Sequence, residues 1–153
     1  MRRKERQIAD RKEIDAVIHA SQVCRLAMAM ENQPYLVPLS FGYDGEAIYL
    51  HTATAGKKIK FFETNPRVCF EFEQGVQLRT HDRQACKFSF TYESVIGHGL
   101  IREIVDARQK KRGLEMIMNH YAHGQWAYNE KAVAKTRVWK ITVQSLTGKR
   151  SPA

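Results

Sequence analysis

Three groupings in this sequence are of types that could do chemistry. Gly56-Lys57-Lys58 opens a short amphipathic segment. A helix start offers unpaired N–H groups and the positive end of the macrodipole, which disfavours cations. Two lysines there need a reason. A phosphate held by ammonium groups and backbone amides together would supply it; solvated surface charge is the other reading. Pro38 lies inside a clean strand pattern yet has no N–H for a ladder. Either it marks an edge, or the strand opens there and frees backbone groups for a planar heteroaromatic ligand. His51 ends the strand that feeds the lysine-bearing segment. It could donate to a cofactor or protonate a substrate near neutral pH, or it is structural.

The other candidates are weaker. His120 and His123 stand three apart at a helix end, which suits a shared metal. No third ligand is fixed beside them, and cations also suit helix C-termini, so a structural role is expected. His98 lies between two glycines and His81 in a polar stretch, neither with an identifiable partner. Cys24, Cys69 and Cys86 are odd in number and far apart, without C-x-x-C. That gives no support to a disulfide framework or a zinc cluster, and a reducing cytoplasm is the expected compartment. No metal site is expected. Neither a P-loop nor G-x-S-x-G, H-E-x-x-H or G-x-G-x-x-G occurs.

The elements that must position these residues can be read from periodicity. Asp10 with Glu13 is a capping-box-like start, and Ile14, Val17 and Ile18 form one apolar stripe up to Ala20. A strand over Val23–Met30 and a turn at Glu31–Pro34 lead to strict alternation of Tyr35, Val37, Leu39, Phe41 and Tyr43. Asp44-Gly45 signals a hairpin into a return strand, Ala47–Thr52, and the three strands are expected to form a meander. A helix runs over Thr54–Thr64 and stops at Asn65-Pro66. Val68, Phe70 and Phe72 mark a strand, Gln74–Gln84 a polar loop, and Lys87–Glu93 a strand continuing as β to Ile104. Gly97 and Gly99 suggest a bend or a close backbone approach. Asp106 caps a second long helix with Leu114, Ile117, Met118 and Tyr121 as its stripe. Gly124–Lys135 reads as irregular and Val138–Leu146 as the last strand. Six or seven consecutive strands without βαβ alternation favour an antiparallel barrel, in one domain spanning residues 1–153.

Composition bounds the partners. The 153 residues carry 25 Lys plus Arg against 16 Asp plus Glu, a net charge of +9 with a pI near 9.6. Such an excess predicts an anion: nucleic acid, an acidic membrane surface or a phosphorylated small molecule. With 43% hydrophobic residues, 7 Phe, 6 Tyr and 2 Trp, the chain is neither low-complexity nor disordered. No apolar run reaches the roughly 20 residues of a membrane span. The charged start Met1–Arg6 has no apolar stretch behind it, so no secretory signal is expected.

Longer stretches carry a resemblance. They are Met1-Arg2-Arg3-Lys4, Val23-Cys24-Arg25-Leu26, Pro34 through Tyr43, Ile48-Tyr49-Leu50-His51-Thr52, Gly56-Lys57-Lys58 and Asn65-Pro66-Arg67-Val68-Cys69-Phe70-Glu71. With Tyr92 through Gly99 and Leu146-Thr147-Gly148-Lys149, they resemble the 5-nitroimidazole-resistance (Nim) proteins. These belong to the pyridoxamine 5′-phosphate oxidase-like flavin-binding split barrels. The resemblance implies a six-stranded antiparallel split barrel, mainly β with flanking helices, forming a homodimer with FMN at the interface. It places Val37, Pro38, Leu39 and Ser40 along the isoalloxazine and Tyr49, His51 and Thr52 beside the flavin and its ribityl chain. Lys57 and Lys58 would hold the phosphate, and Ser94, Val95 and Trp139 would come from the second subunit. His51 takes the catalytic place. Lys57-Lys58 stands where relatives often have Arg-Lys, a looser phosphate grip because Lys lacks the fork of Arg. His98 stands where relatives often have an aromatic residue.

The implied activity is reduction of small electron-poor substrates such as 5-nitroimidazoles by reduced FMN, with His51 protonating the product. The alternative is a haem- or flavin-binding module without that activity, with His51, His98 or His120 as axial ligands. Nucleic-acid binding ranks last: no recognition helix is visible, and the aromatics interleave with apolar residues rather than with the basic cluster.

Overall fold

The computed structural model describes residues 3–151. Asp10 stands one residue ahead of helix α1 (Arg11–Ala20), and its carboxylate accepts the Lys12 amide at 2.9 Å. That satisfies one of the donors every helix start leaves unpaired. Glu13 turns outward to Arg150 at 2.9 Å. Ile14, Val17 and Ile18 are buried as one stripe.

The strands are β1 (Gln7–Ile8), β2 (Cys24–Met30), β3 (Gln33–Leu39), β4 (Gly42–Tyr43), β5 (Ala47–Thr52), β6 (Arg67–Arg79), β7 (Ser89–Ile104) and β8 (Arg137–Ser151). Helices α2 (Lys57–Thr64), α3 (Ala107–Tyr121) and α4 (Glu130–Ala134) complete the order. All strands join one antiparallel sheet in the order β3-β2-β6-β7-β8-β5-β4, with β1 on β8. This is the expected mainly-β split-barrel architecture, with eight strands rather than six and a path left open at β3 and β4.

Three local expectations are corrected. The first three long strands do not form a meander. β2 and β3 pair at one end of the sheet path, while β5 pairs with β4 and with β8 at the other. The alternation from Tyr35 to Tyr43 breaks after Leu39, and the chain crosses from one sheet edge to the other before Gly42. Gln74–Gln84 is not a loop throughout: β6 continues to Arg79 against the start of β7, past a bulge between Gln74 and Gln77 where Gly75 takes φ 64°. This ribbon projects past β2, so neither face is compelled to be apolar. Gly124–Lys135 contains α4, whose start Asn129 caps by accepting the Ala132 amide at 3.2 Å.

Two cores result. The barrel interior gathers Leu26, Phe41, Ile48, Leu50, Phe70, Phe72, Val95, Trp139 and Ile141 with the stripes of α1 and α2. A second layer lies outside it, where Ala47, Tyr49, Ile104 and Val138 meet Ile117 of α3. The expected close approach at Gly97 and Gly99 is present: the β7–β8 register slips there, and the Phe70 ring lies against Gly97. At Gly42 the close approach is to backbone rather than to a side chain. A Cβ built on it would stand 2.4 Å from the Met116 carbonyl carbon and 2.5 Å from the Ile117 nitrogen, both backbone.

Backbone cannot rotate aside as a side chain can. Gly42→Ala is therefore expected to push α3 off β4 and lower stability by about 3 kcal/mol, the upper range of overpacking. Urea unfolding checks this, and a midpoint equal to wild type would contradict the packing.

Candidate functional site

The site candidates converge where β5 turns into α2. Thr52 is the last residue of β5 and is buried. After it, Ala53–Gly56 form an exposed turn. Gly56 takes φ 148° and ψ 165°, a conformation that suits glycine, and nothing lies within 4 Å of a Cβ built on it. It is the N-cap of α2 and brings no side chain to the free amides; the first turn has no acidic residue either. The ends of α1, α3 and α4 are capped by Asp10, Asp106 and Asn129.

The two lysines stand in that first turn. Lys57 Nζ lies 4.6 Å from the centroid of Tyr35 on β3 and 5.9 Å from that of Phe61, and those two rings are 5.3 Å apart. The ammonium thus rests on an aromatic pair that links β3 to α2. Lys58 is half-buried. Neither lysine is paired with a carboxylate among the described residues. Cations at the positive end of a helix, beside free amides and without acidic partners, make a donor set for an anion.

Beside them, β3 is the end strand of the sheet path. Val37 and Leu39 pack against the barrel core, while Pro38 and Ser40 face outward and are exposed. Pro38 stands opposite Arg25 of β2. A proline fits a ladder when its nitrogen faces away from the partner strand, so the edge reading of Pro38 holds. The same edge is open along the side that faces away from β2.

The remaining residues divide. Tyr49 lies on the other face of β5, under α3, and its hydroxyl donates to Asp44 Oδ2 at 2.8 Å. Burial and the adjacent carboxylate push it up to about 12. His51 shares that face but is exposed, opposite Val138. Trp139 is 3% exposed within its own chain, between Phe62 and the Arg137 guanidinium. Its indole Nε1–H donates to Thr52 Oγ1 at 3.0 Å, so it meets the turn through Thr52. Val95 is fully buried in the barrel, and Ser94 is half-buried on β7 opposite Glu73 and Lys149. One chain therefore brings together Thr52, Trp139, Lys57 and Lys58, with β3 alongside, and leaves Ser94 and Val95 on a strand separated from β3 by β2 and β6.

Sequence reasoning missed Tyr35 as the seat of Lys57, and it missed Arg137. Arg137 Nε donates to Glu103 Oε1 at 2.8 Å, a second N–H donates to Glu103 Oε2, and Nη2 donates to Glu63 Oε1 at 2.8 Å. The guanidinium holds the Glu103 carboxyl below its usual range. No local pattern links residues so far apart.

Of the other histidines, His120 and His81 have partners in the fold. His120 Nε2 lies 2.8 Å from the Ser21 carbonyl, tying the end of α3 to the end of α1, and its ring packs at a tilt against Phe41 with centroids 4.1 Å apart. Burial lowers its pKa, partly offset by that carbonyl. His81 Nδ1 accepts the Arg83 amide at 3.3 Å; His98 and His123 are exposed. No cluster of three His, Cys, Asp or Glu that could hold a metal occurs among the described residues. Among the described residues, no helix is long and apolar enough to cross a membrane.

Comparison with known proteins places this architecture. The family model described as pyridoxamine 5′-phosphate oxidase matches residues 10–150, and the chain belongs to that family. A proposed 5-nitroimidazole antibiotic resistance protein of Bacteroides thetaiotaomicron is 34% identical, with a TM-score of 0.84 over 94% of this chain and 86% of that one. A FAD- and heme-binding protein of Mycobacterium smegmatis shares the fold at 18% identity, with a TM-score of 0.86 over 97% of this chain and 74% of that one. An uncharacterised protein of Rhizobium meliloti (strain 1021) is 30% identical over 67 residues, 44% of this chain and 44% of that relative.

Asp44, in the turn between β4 and β5, gives the fold a pH dependence. Burial works to raise its pKa, but the Glu46 and Ala47 amides and the Tyr49 hydroxyl outweigh it and hold the carboxyl below its usual value. A lowered folded pKa stabilises at neutral pH and is lost as pH falls through it. Asp44→Asn is expected to lower the urea midpoint at pH 7, with the gap to wild type closing toward pH 3. A gap that does not change with pH would contradict this assignment.

Proposed function

We propose that this member of the pyridoxamine 5′-phosphate oxidase family is an FMN-binding reductase of small electron-poor substrates such as 5-nitroimidazoles. One observation carries the reading: the start of α2 has no side-chain cap and no acidic residue in its first turn, carries Lys57 and Lys58, and adjoins the open edge of β3. Its donor set suits a terminal phosphate. The 34% identity to the Bacteroides protein supports the substrate class.

Lys57, Lys58 and the first-turn amides would hold the phosphate. The outward edge of β3 at Pro38–Ser40 would lie along the ring system. Bound FMN supplies the redox chemistry, and the chain binds, orients and protonates. His51, exposed at the end of β5 close to that corner, would hold the proton for the reduced product.

The working unit is a homodimer with the cofactor at the interface. α3 covers one part of the barrel's outer wall. On the rest, Leu36 (58% exposed), Ile96 (48%) and Phe90 (49%) have no cover among the described residues. Arg25 there is neutralised by Glu71 at 3.0 Å and Glu73 at 3.7 Å, so this face suits a second protein surface better than a polyanion. Ser94 stands on β7 between Tyr92 and Ile96, on the same face, where it would reach the second copy's cofactor.

Titration with FMN, FAD, riboflavin and haemin tests the ligand. FMN is expected to bind most tightly. Lys57→Ala with Lys58→Ala is expected to weaken FMN roughly tenfold to hundredfold and leave riboflavin unchanged. Equal losses for both would refute the phosphate assignment, and a sharp Soret shift without flavin retention would replace flavin by haem. Dithionite-reduced FMN-loaded protein should be reoxidised anaerobically by a 5-nitroimidazole; no reoxidation would remove that substrate class. Sedimentation should find a dimer that Ile96→Asp converts to monomers with weaker FMN binding. A monomeric wild type would contradict the dimer.

A further inference from the structure

We propose that Trp139, acting through the Thr52 hydroxyl, is a positioning residue that sets the turn 53–56 and thereby the anion-binding start of α2. The inference rests on the phosphate reading of that turn, but its geometry stands independently.

An indole N–H can only donate, so the Trp139–Thr52 contact of 3.0 Å has one direction. Thr52 Oγ1 accepts from Trp139, and its own hydrogen goes to the Ala53 carbonyl at 2.9 Å. A hydroxyl has a single hydrogen, so the rotor is fixed and the first peptide of the turn is held toward the barrel. Both partners are buried, at 6% and 3% exposure, where water does not compete for these bonds.

The indole itself has little freedom. The Phe62 ring lies 5.0 Å from it, and the Arg137 guanidinium lies 4.7 Å over it. Phe62 belongs to α2 and Thr52 to β5. One ring thus touches the element before the turn and the element after it. Arg137 braces the assembly, because it bonds Glu63 of α2 and Glu103 of β7 simultaneously. The turn residues Ala53–Gly56 are exposed; the Gly56 carbonyl accepts the Ile59 amide of α2 at 3.1 Å, and Thr52 supplies the tie at Ala53. Free amides and lysines can select an anion only if the turn holds them in place, since preorganisation removes the cost of ordering them on binding.

A core tryptophan that merely fills space would not need its N–H. Thr52→Val keeps shape and removes the hydroxyl; Thr52→Ser keeps the hydroxyl; Trp139→Phe keeps an aromatic filler and removes the donor. In ligand-free protein, Thr52→Val and Trp139→Phe are expected to speed amide hydrogen exchange over residues 54–58 about tenfold, with Thr52→Ser near wild type. In titrations, the same two variants should weaken FMN roughly fivefold to tenfold and riboflavin less than twofold. The double variant should be no worse than either single one, because both remove the same bond. It also leaves no orphaned indole N–H, so it serves if Thr52→Val does not fold. Unchanged exchange, or equal losses of FMN and riboflavin, would overturn the inference. If wild type shows no preference for FMN over riboflavin, the phosphate reading fails, while the exchange experiment still decides the positioning role.

Discussion

The β5–β8 ladder carries two cores at once, and the rest of the molecule depends on its register. Ala47, Tyr49 and Val138 bury outward under α3, while Ile48, Leu50, Trp139 and Ile141 bury inward. Strand side chains alternate, so a slip of one residue would exchange the two sets and put Tyr49 into the barrel and Trp139 under the helix. Both faces therefore fix the same register. Because β5 ends at Thr52 opposite Arg137, the corner into α2 starts at a defined level on the barrel wall. Gly42 closes the arrangement from the other side by letting α3 approach the backbone of β4.

The net charge of +9 acquires meaning only through where its carboxylates go. Glu71 and Glu73 serve Arg25, Glu63 and Glu103 serve Arg137, and Glu13 and Glu93 serve Arg150. Exposed pairs of this kind add little stability, about 0–1 kcal/mol each. Their effect is distributional. They neutralise arginines on the barrel wall and leave Lys57 and Lys58 without acidic partners at a helix start, where cations are otherwise disfavoured. The aromatic seat of Lys57 on Tyr35 and Phe61 holds that charge beside the open strand.

The split in the barrel gives the site its shape. A sheet path that ends at β3 leaves one strand with a free edge, and prolines at 34 and 38 keep that edge from pairing along its whole length. The helix start with the lysines sits next to it. The uncovered outer wall around Leu36 and Ile96 adjoins the same strands, which is why the proposed cofactor position and the proposed dimer face fall together.

Much was legible in the residues alone. The stripe of α1, the caps at Asp10 and Asp106, the Asp44-Gly45 hairpin and the alternation of Tyr35, Val37 and Leu39 are local signals, set within a few residues, and each forms as read. The motifs Gly56-Lys57-Lys58 and Pro38 were likewise visible as chemistry without a partner. What they could not disclose is pairing. The expected meander fails because alternation specifies that a segment is a strand and says nothing of which strand it joins. The β6 arm of the projecting ribbon was hidden because, beyond the barrel, no core imposes a pattern, whereas the β7 arm was legible as a strand. The residue order thus determined the elements and the types of group at the site. Only the tertiary structure decided that Trp139 reaches Thr52 across 87 positions, that Arg137 spans Glu63 and Glu103, and that Tyr49 turns away under α3. Contacts between distant residues leave no periodic trace in the chain, and the packed sheet alone brings them within bonding distance.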